Sequence, residues 1–167
     1  MRTSRFALLA GIVYLALGIL GLIPAALVPP PMVAPPTKFA LLYGYRLGLF
    51  PVNILHTALN LVVGALGLAA WSGRMSSMRY ARALAWLFGA AAVMGMLPLL
   101  NTTFGVMPLH AHNIWLHAIT TLAAAYGGWR ERRRTVADRR QRMMPVAQER
   151  RFGLVDRREH FGGMSAA

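Results

Sequence analysis

Two histidines, His56 and His117, each follow an asparagine at the start of an apolar stretch, Asn53-Ile54-Leu55-His56 and Asn113-Ile114-Trp115-Leu116-His117. Neutral imidazole is a good ligand for haem iron, for the magnesium of a chlorophyll-type pigment or for a transition metal, and a pair on separate helices can hold such a centre between them. The same side chains can instead hydrogen-bond across helices with Asn53, Asn60 and Asn113, the common use of polar groups inside a membrane. Structural bonding is the expectation for this cluster, with cofactor binding by His56 and His117 as the alternative. His110 and His112, just upstream, can extend the pair into a metal-binding mouth, although loop histidines are ordinarily only solvated. Met94, Met96 and Met107 read as packing residues rather than metal ligands.

What is missing narrows the chemistry further. The chain has no cysteine, and its five acidic residues, Glu131, Asp138, Glu149, Asp156 and Glu159, all follow residue 130. Thiolate metal sites, disulfides and thiol nucleophiles are thereby excluded, and residues 1–130 offer no carboxylate for a proton relay or a paired-acid hydrolase. Thr57, Thr102, Thr103, Thr120 and Thr121 supply hydroxyls without any base-and-orienter pattern. The expectation is a protein that is not an enzyme and holds no cofactor, haem or a chlorophyll-type pigment being the alternative.

The histidines must be positioned by four apolar runs, at about 6–28, 52–71, 80–100 and 113–129. Each approaches the ~20 residues an α-helix needs to cross a hydrocarbon core, and helices are the form in which such a segment satisfies its own backbone. The first run follows Arg2 and Arg5 as a signal peptide would, but its apolar length exceeds the ~7–15 residues of a cleaved core, so it reads as a retained helix. The predicted fold is an all-α membrane protein, a compact bundle of four transmembrane helices over 1–129 followed by a soluble tail over 130–167.

Orientation follows from basic residues. Sixteen of the eighteen Lys and Arg lie at the amino terminus, between the second and third runs, at the start of the third, or in the tail. Lys38 and Arg46 are alone on the other side, so the positive-inside rule puts both termini in the cytoplasm. Seventeen arginines against one lysine, with abundant Ala and Gly, suit a GC-rich bacterial genome. The predicted location is the bacterial cytoplasmic membrane.

An internal repeat runs through the bundle. Gly18-Ile19-Leu20-Gly21-Leu22-Ile23-Pro24 closes the first helix as Gly95-Met96-Leu97-Pro98 closes the third, and each is followed by an Asn-to-His element. Two helical hairpins in parallel orientation would bring His56 and His117 to similar depth near the outer surface, with Asn60 one turn below His56 and Asn113 one turn above His117. Gly11, Gly18 and Gly21, Gly64 and Gly67, and Gly89 and Gly95 mark faces for close helix contact. The outer connection over 29–51 starts with the proline-rich strings Pro29-Pro30-Pro31 and Pro35-Pro36, expected to be extended. Residues 39–50 read as an interfacial helix with Tyr43, Tyr45 and Arg46 at headgroup level, or as a loop packed over the bundle mouth.

Arg130, Arg132, Arg133, Arg134, Arg139, Arg140 and Arg142 crowd the exit of the fourth run. Such a cluster binds anionic lipid at the cytoplasmic leaflet or an acidic partner surface, on a helix expected to end near Pro145. No nucleic-acid recognition motif accompanies it.

The string Leu47-Gly48-Leu49-Phe50-Pro51-Val52-Asn53-Ile54-Leu55-His56, with Leu61-Val62-Val63-Gly64-Ala65-Leu66-Gly67-Leu68 after it, resembles the signature of a bacterial four-helix membrane family catalogued only as a domain of unknown function. Asn113 with Trp115-Leu116-His117 is similar to that family's second signature, and the likeness covers roughly residues 6–129. The resemblance implies the four-helix fold and supplies no activity. Asn60 stands where members usually have a further histidine, and His112 where they tend to have an acid. The function expected from the whole reading is a non-catalytic accessory or scaffold subunit of a larger membrane complex, for example respiratory or photosynthetic, packing against other integral subunits. The alternative is a haem-, pigment- or metal-binding membrane protein.

Overall fold

Among residues 2–130, which the computed structural model describes, four long helices follow one another, with a small sheet in the connection after the first. They are α1 (Arg2–Gly21), α2 (Ile54–Trp71), α3 (Ser77–Met96) and α4, over 112–130. Two segments, Thr3–Gly21 in α1 and Ile54–Trp71 in α2, are long and apolar enough to cross a membrane.

The first helix stops at Gly21, short of the expected 28. Pro24 has no N–H to continue the ladder, and it pushes Ile23 into an extended conformation, φ −96° and ψ 107°. A single 3-10 turn, Pro24–Ala26, leads into strand β1 (Leu27–Val28).

The expected interfacial helix over 39–50 is replaced by strands β2 (Gly44–Arg46) and β3 (Phe50–Val52), which form with β1 an antiparallel sheet in the order β1-β2-β3. Glycines at 44 and 48 disfavour a helix, and each has a use in the sheet. A Cβ at Gly44 would come within 2.9 Å of the Val28 carbonyl oxygen, so only glycine lets β1 approach. Leu47 and Gly48 both take left-handed φ, 53° and 75°, to turn the chain between Arg46 and its cross-strand partner Phe50. The chain is mostly helical with four helices, as expected, and carries in addition a three-stranded cap.

Contacts run antiparallel between chain neighbours. Along α1 and α2, Gly11 meets Gly64 and Leu68, Gly18 meets Leu61 and Gly21 meets Thr57. The approach is backbone to backbone, since a Cβ on Gly67 would sit 2.7 Å from the Gly11 Cα. Helix α4 runs antiparallel to α1 through Thr3 Oγ1 donating to the Gly127 carbonyl (3.0 Å) and Tyr14 with Thr120 (2.7 Å). It runs antiparallel to α3 through Arg82 Nε donating to the Gly128 carbonyl (3.0 Å) and the close approach of Gly95 to Ile114. Tyr80 closes α3 onto α2, its hydroxyl donating to the Val63 carbonyl at 3.1 Å. Helices α1 and α3 therefore run one way and α2 and α4 the other, and the connections over 22–53 and 97–111 meet at one end.

Met1–Trp129 make up one compact unit. The helix expected through Met144 and the arginines at 132, 133, 134, 139, 140 and 142 lie outside the described residues; Arg130, at the end of α4, is exposed.

Candidate functional site

Asn53 is the N-cap of α2. Its backbone is extended, and its Oδ1 accepts from the His56 N–H at 3.0 Å, satisfying one of the donors that a helix start leaves open. Its Nδ2 then reaches two loops, donating to the Val106 carbonyl at 2.7 Å and the Phe39 carbonyl at 3.3 Å. Asn113, in the first turn of α4, does the reciprocal job. Its Nδ2 donates to the Pro51 carbonyl at 2.6 Å and the Pro108 carbonyl at 3.1 Å. Each asparagine binds its own connection to the other, so the two halves latch one another. Asn60 lies one turn further into α2, buried.

The histidines lie close to these bonds along the chain. His56 lies in the first turn of α2 and His117 in the second turn of α4, 2 % and 1 % exposed. Their ring centres are 5.9 Å apart with planes inclined by 34°. His56 Nδ1 lies 3.0 Å from the Pro108 carbonyl oxygen, which can only accept, so the proton is on Nδ1 and Nε2 carries the free lone pair. His117 stacks on Phe88 at 5.0 Å, Phe88 on Tyr14 at 4.8 Å, and the His117 Nδ1 has no hydrogen-bond partner. The interior thus carries an aromatic file from Tyr14 of α1 through Phe88 of α3 and His117 of α4 to His56 of α2.

Two imidazoles sharing one ion through bonds of ~2.0–2.1 Å hold their ring centres about 5–6 Å apart, which is the spacing of this pair. Among the described residues no group of three or more His, Cys, Asp or Glu could hold a metal ion. A shared ion would need its remaining ligands from elsewhere.

His110 and His112 meet different neighbours. His110 is buried, not a solvated loop histidine, and its Nε2 is 3.1 Å from the Tyr45 hydroxyl of β2. Burial holds the imidazole below its ordinary pKa and the Tyr45 hydroxyl above its own. His112 is exposed, its ring edge-on to Phe50 at 6.2 Å.

The residue that sequence reasoning misplaced is Arg46. Expected at headgroup level, it is 1 % exposed and is the only cationic side chain among the described residues to be buried. Its Nε and Nη2 have no hydrogen-bond partner, and it lies within electrostatic range of the His56 imidazole. Burial draws its pKa down to about 10, so it keeps its charge at neutral pH. An enclosed ion without a counter-charge costs several kcal/mol, and residues 1–130 contain no Asp or Glu to offset it. Strand pairing is the reason for its position: alternation along β2 turns Gly44 and Arg46 to one side and Tyr45 toward His110.

The family model for Domain of unknown function (DUF4383) matches residues 4–130, and the chain belongs to that family. No curated protein matches the chain, and no solved structure does.

Proposed function

We propose that this member of the family is a non-catalytic integral membrane subunit, built to pack its outer helix faces against other membrane proteins. The observation that carries the reading is an inverted distribution of side chains. Large apolar residues are exposed on all four helices, among them Leu9, Ile19, Leu66, Trp86, Val93 and Trp115, while His56, His117, Asn53, Asn60, Asn113 and Arg46 are enclosed. Water would penalise that surface and lipid would not. Four crossings place the latched loops outside and Arg74, Arg79, Arg82 and Arg130 in the cytoplasm, with both termini there. The setting is the cytoplasmic membrane of a bacterium, and the tail arginines hold anionic lipid or an acidic partner face.

A subunit role is supported by what the interior lacks. Its polar groups bind backbone carbonyls across the loops, and no carboxylate or thiol in residues 1–130 stands ready for acid–base or nucleophilic work. Gentle detergent extraction followed by native mass measurement tests this, with a defined heteromeric assembly as the expected result.

A second reading is favoured by the 5.9 Å spacing of His56 and His117, which suits a metal ion, haem or pigment held between α2 and α4. Absorption spectra and metal analysis of protein purified from cells competent to make these cofactors decide it. A colourless, metal-free preparation removes this reading.

A further inference from the structure

The buried guanidinium of Arg46 has no work in a purely structural account. Its Nε and Nη2 are fully enclosed without a partner, and no acidic side chain occurs anywhere in residues 1–130. In chain order the acids follow the far end of α4, 19 residues of helix from the latched loops. The side chain cannot escape by rotating with a loose loop, because its backbone is pinned on both sides. Arg46 is the cross-strand partner of Leu27 in β1 and of Phe50 in β3. The His56 imidazole lies within electrostatic range of it and faces the His117 ring, whose Nδ1 is unpartnered, at 5.9 Å between centres.

Guanidinium offers its N–H groups in a planar fork that matches the two oxygens of a carboxylate or a phosphate ester. A single enclosed positive charge is balanced by a single negative one. We infer that Arg46 binds a monovalent oxyanion enclosed beneath the three-stranded cap. Two sources share that chemistry, a soluble carboxylate and the phosphodiester of a lipid headgroup. Nothing here depends on the subunit reading.

The test uses the full chain in a neutral detergent and zwitterionic buffer, with unfolding followed by tryptophan fluorescence at constant ionic strength. One arm titrates sodium acetate against sodium chloride. The other compares nanodiscs of phosphatidylglycerol with nanodiscs of phosphatidylcholine, using a background in which Arg132, Arg133, Arg139 and Arg140 are replaced by Gln to remove lipid binding by the tail. The expected result is a saturable rise in Tm with one of the two oxyanion sources, of roughly 5–10 °C at a hundredfold excess over Kd, and its loss in Arg46→Gln. A rise with acetate assigns a soluble carboxylate, and a rise with phosphatidylglycerol alone assigns a headgroup. Equal responses in wild type and Arg46→Gln, or flat responses in both arms, overturn the site. Should Arg46→Gln fail to fold, a native mass spectrum of the wild type decides. An anion retained on each chain supports the inference, and bare protein with flat titrations overturns it.

Discussion

At the scale of single residues, the latch rests on Asn53 and Asn113 and the charge on Arg46. Asn53 caps α2 and also donates to carbonyls of both connections. Replacing it with Ala removes a cap and leaves two partly buried carbonyls without their donor, so Asn53→Ala should lower stability by about 1–3 kcal/mol, read from chemical unfolding in detergent. His110 adds a pH dependence. Its folded-state pKa lies below the ordinary 6.5 because it is buried, so below about pH 6.5 the unfolded chain takes up the proton more readily. Its contribution is complete above that pH and is lost as pH falls toward the folded value. The Tyr45 hydroxyl, which faces it, stays neutral throughout. Thermal unfolding should therefore shift downward between pH 7 and 5, and His110→Gln should flatten that slope. His56, His117, Asn53, Asn60 and Asn113 are all buried, but the His56 ring bonds the Pro108 carbonyl rather than an asparagine side chain, a loop contact that spacing along the chain does not encode. The place of Arg46 was not legible either, because a lone arginine in an apolar stretch reads as a headgroup anchor until strand pairing fixes which way it points.

Helices were legible where apolar length and capping agree. The runs 52–71 and 113–129 became α2 over Ile54–Trp71 and α4 over 112–130, and the Asn-to-His elements mark both starts. Hydropathy overran α1, because Leu27 and Val28 are as apolar in β1 as they would be in a helix and only Pro24 signals the break. The sheet was hidden for a different reason. Its pairing joins residues 27–28 to 45–46 across the proline-rich connection, and no local periodicity encodes a contact that distant. Glycine spacing did foretell the α1–α2 seam. At Gly64 a Cβ would come within 2.5 Å of the Leu15 backbone nitrogen, so the helices must part to admit one. Gly64→Leu should cost roughly 1–3 kcal/mol or more, whereas Gly73→Ala, which meets nothing within 4 Å but has φ +84°, should show only the milder backbone penalty. Unfolding midpoints of the two variants compare these effects.

The whole molecule presents lipid-compatible faces outward and keeps its polar groups for a latch at one end, with the arginine-rich tail sequence following the other. Under the proposed topology a chain with a net charge of +13 and no acid before residue 131 would follow the positive-inside rule. The claim that this is a subunit is tested most directly by native mass measurement of the tagged protein after extraction from its own membrane in a mild detergent. The account predicts a mass well above the 18.3 kDa chain with one reproducible set of integral membrane partners. A stable monomer with no partner retained would contradict it.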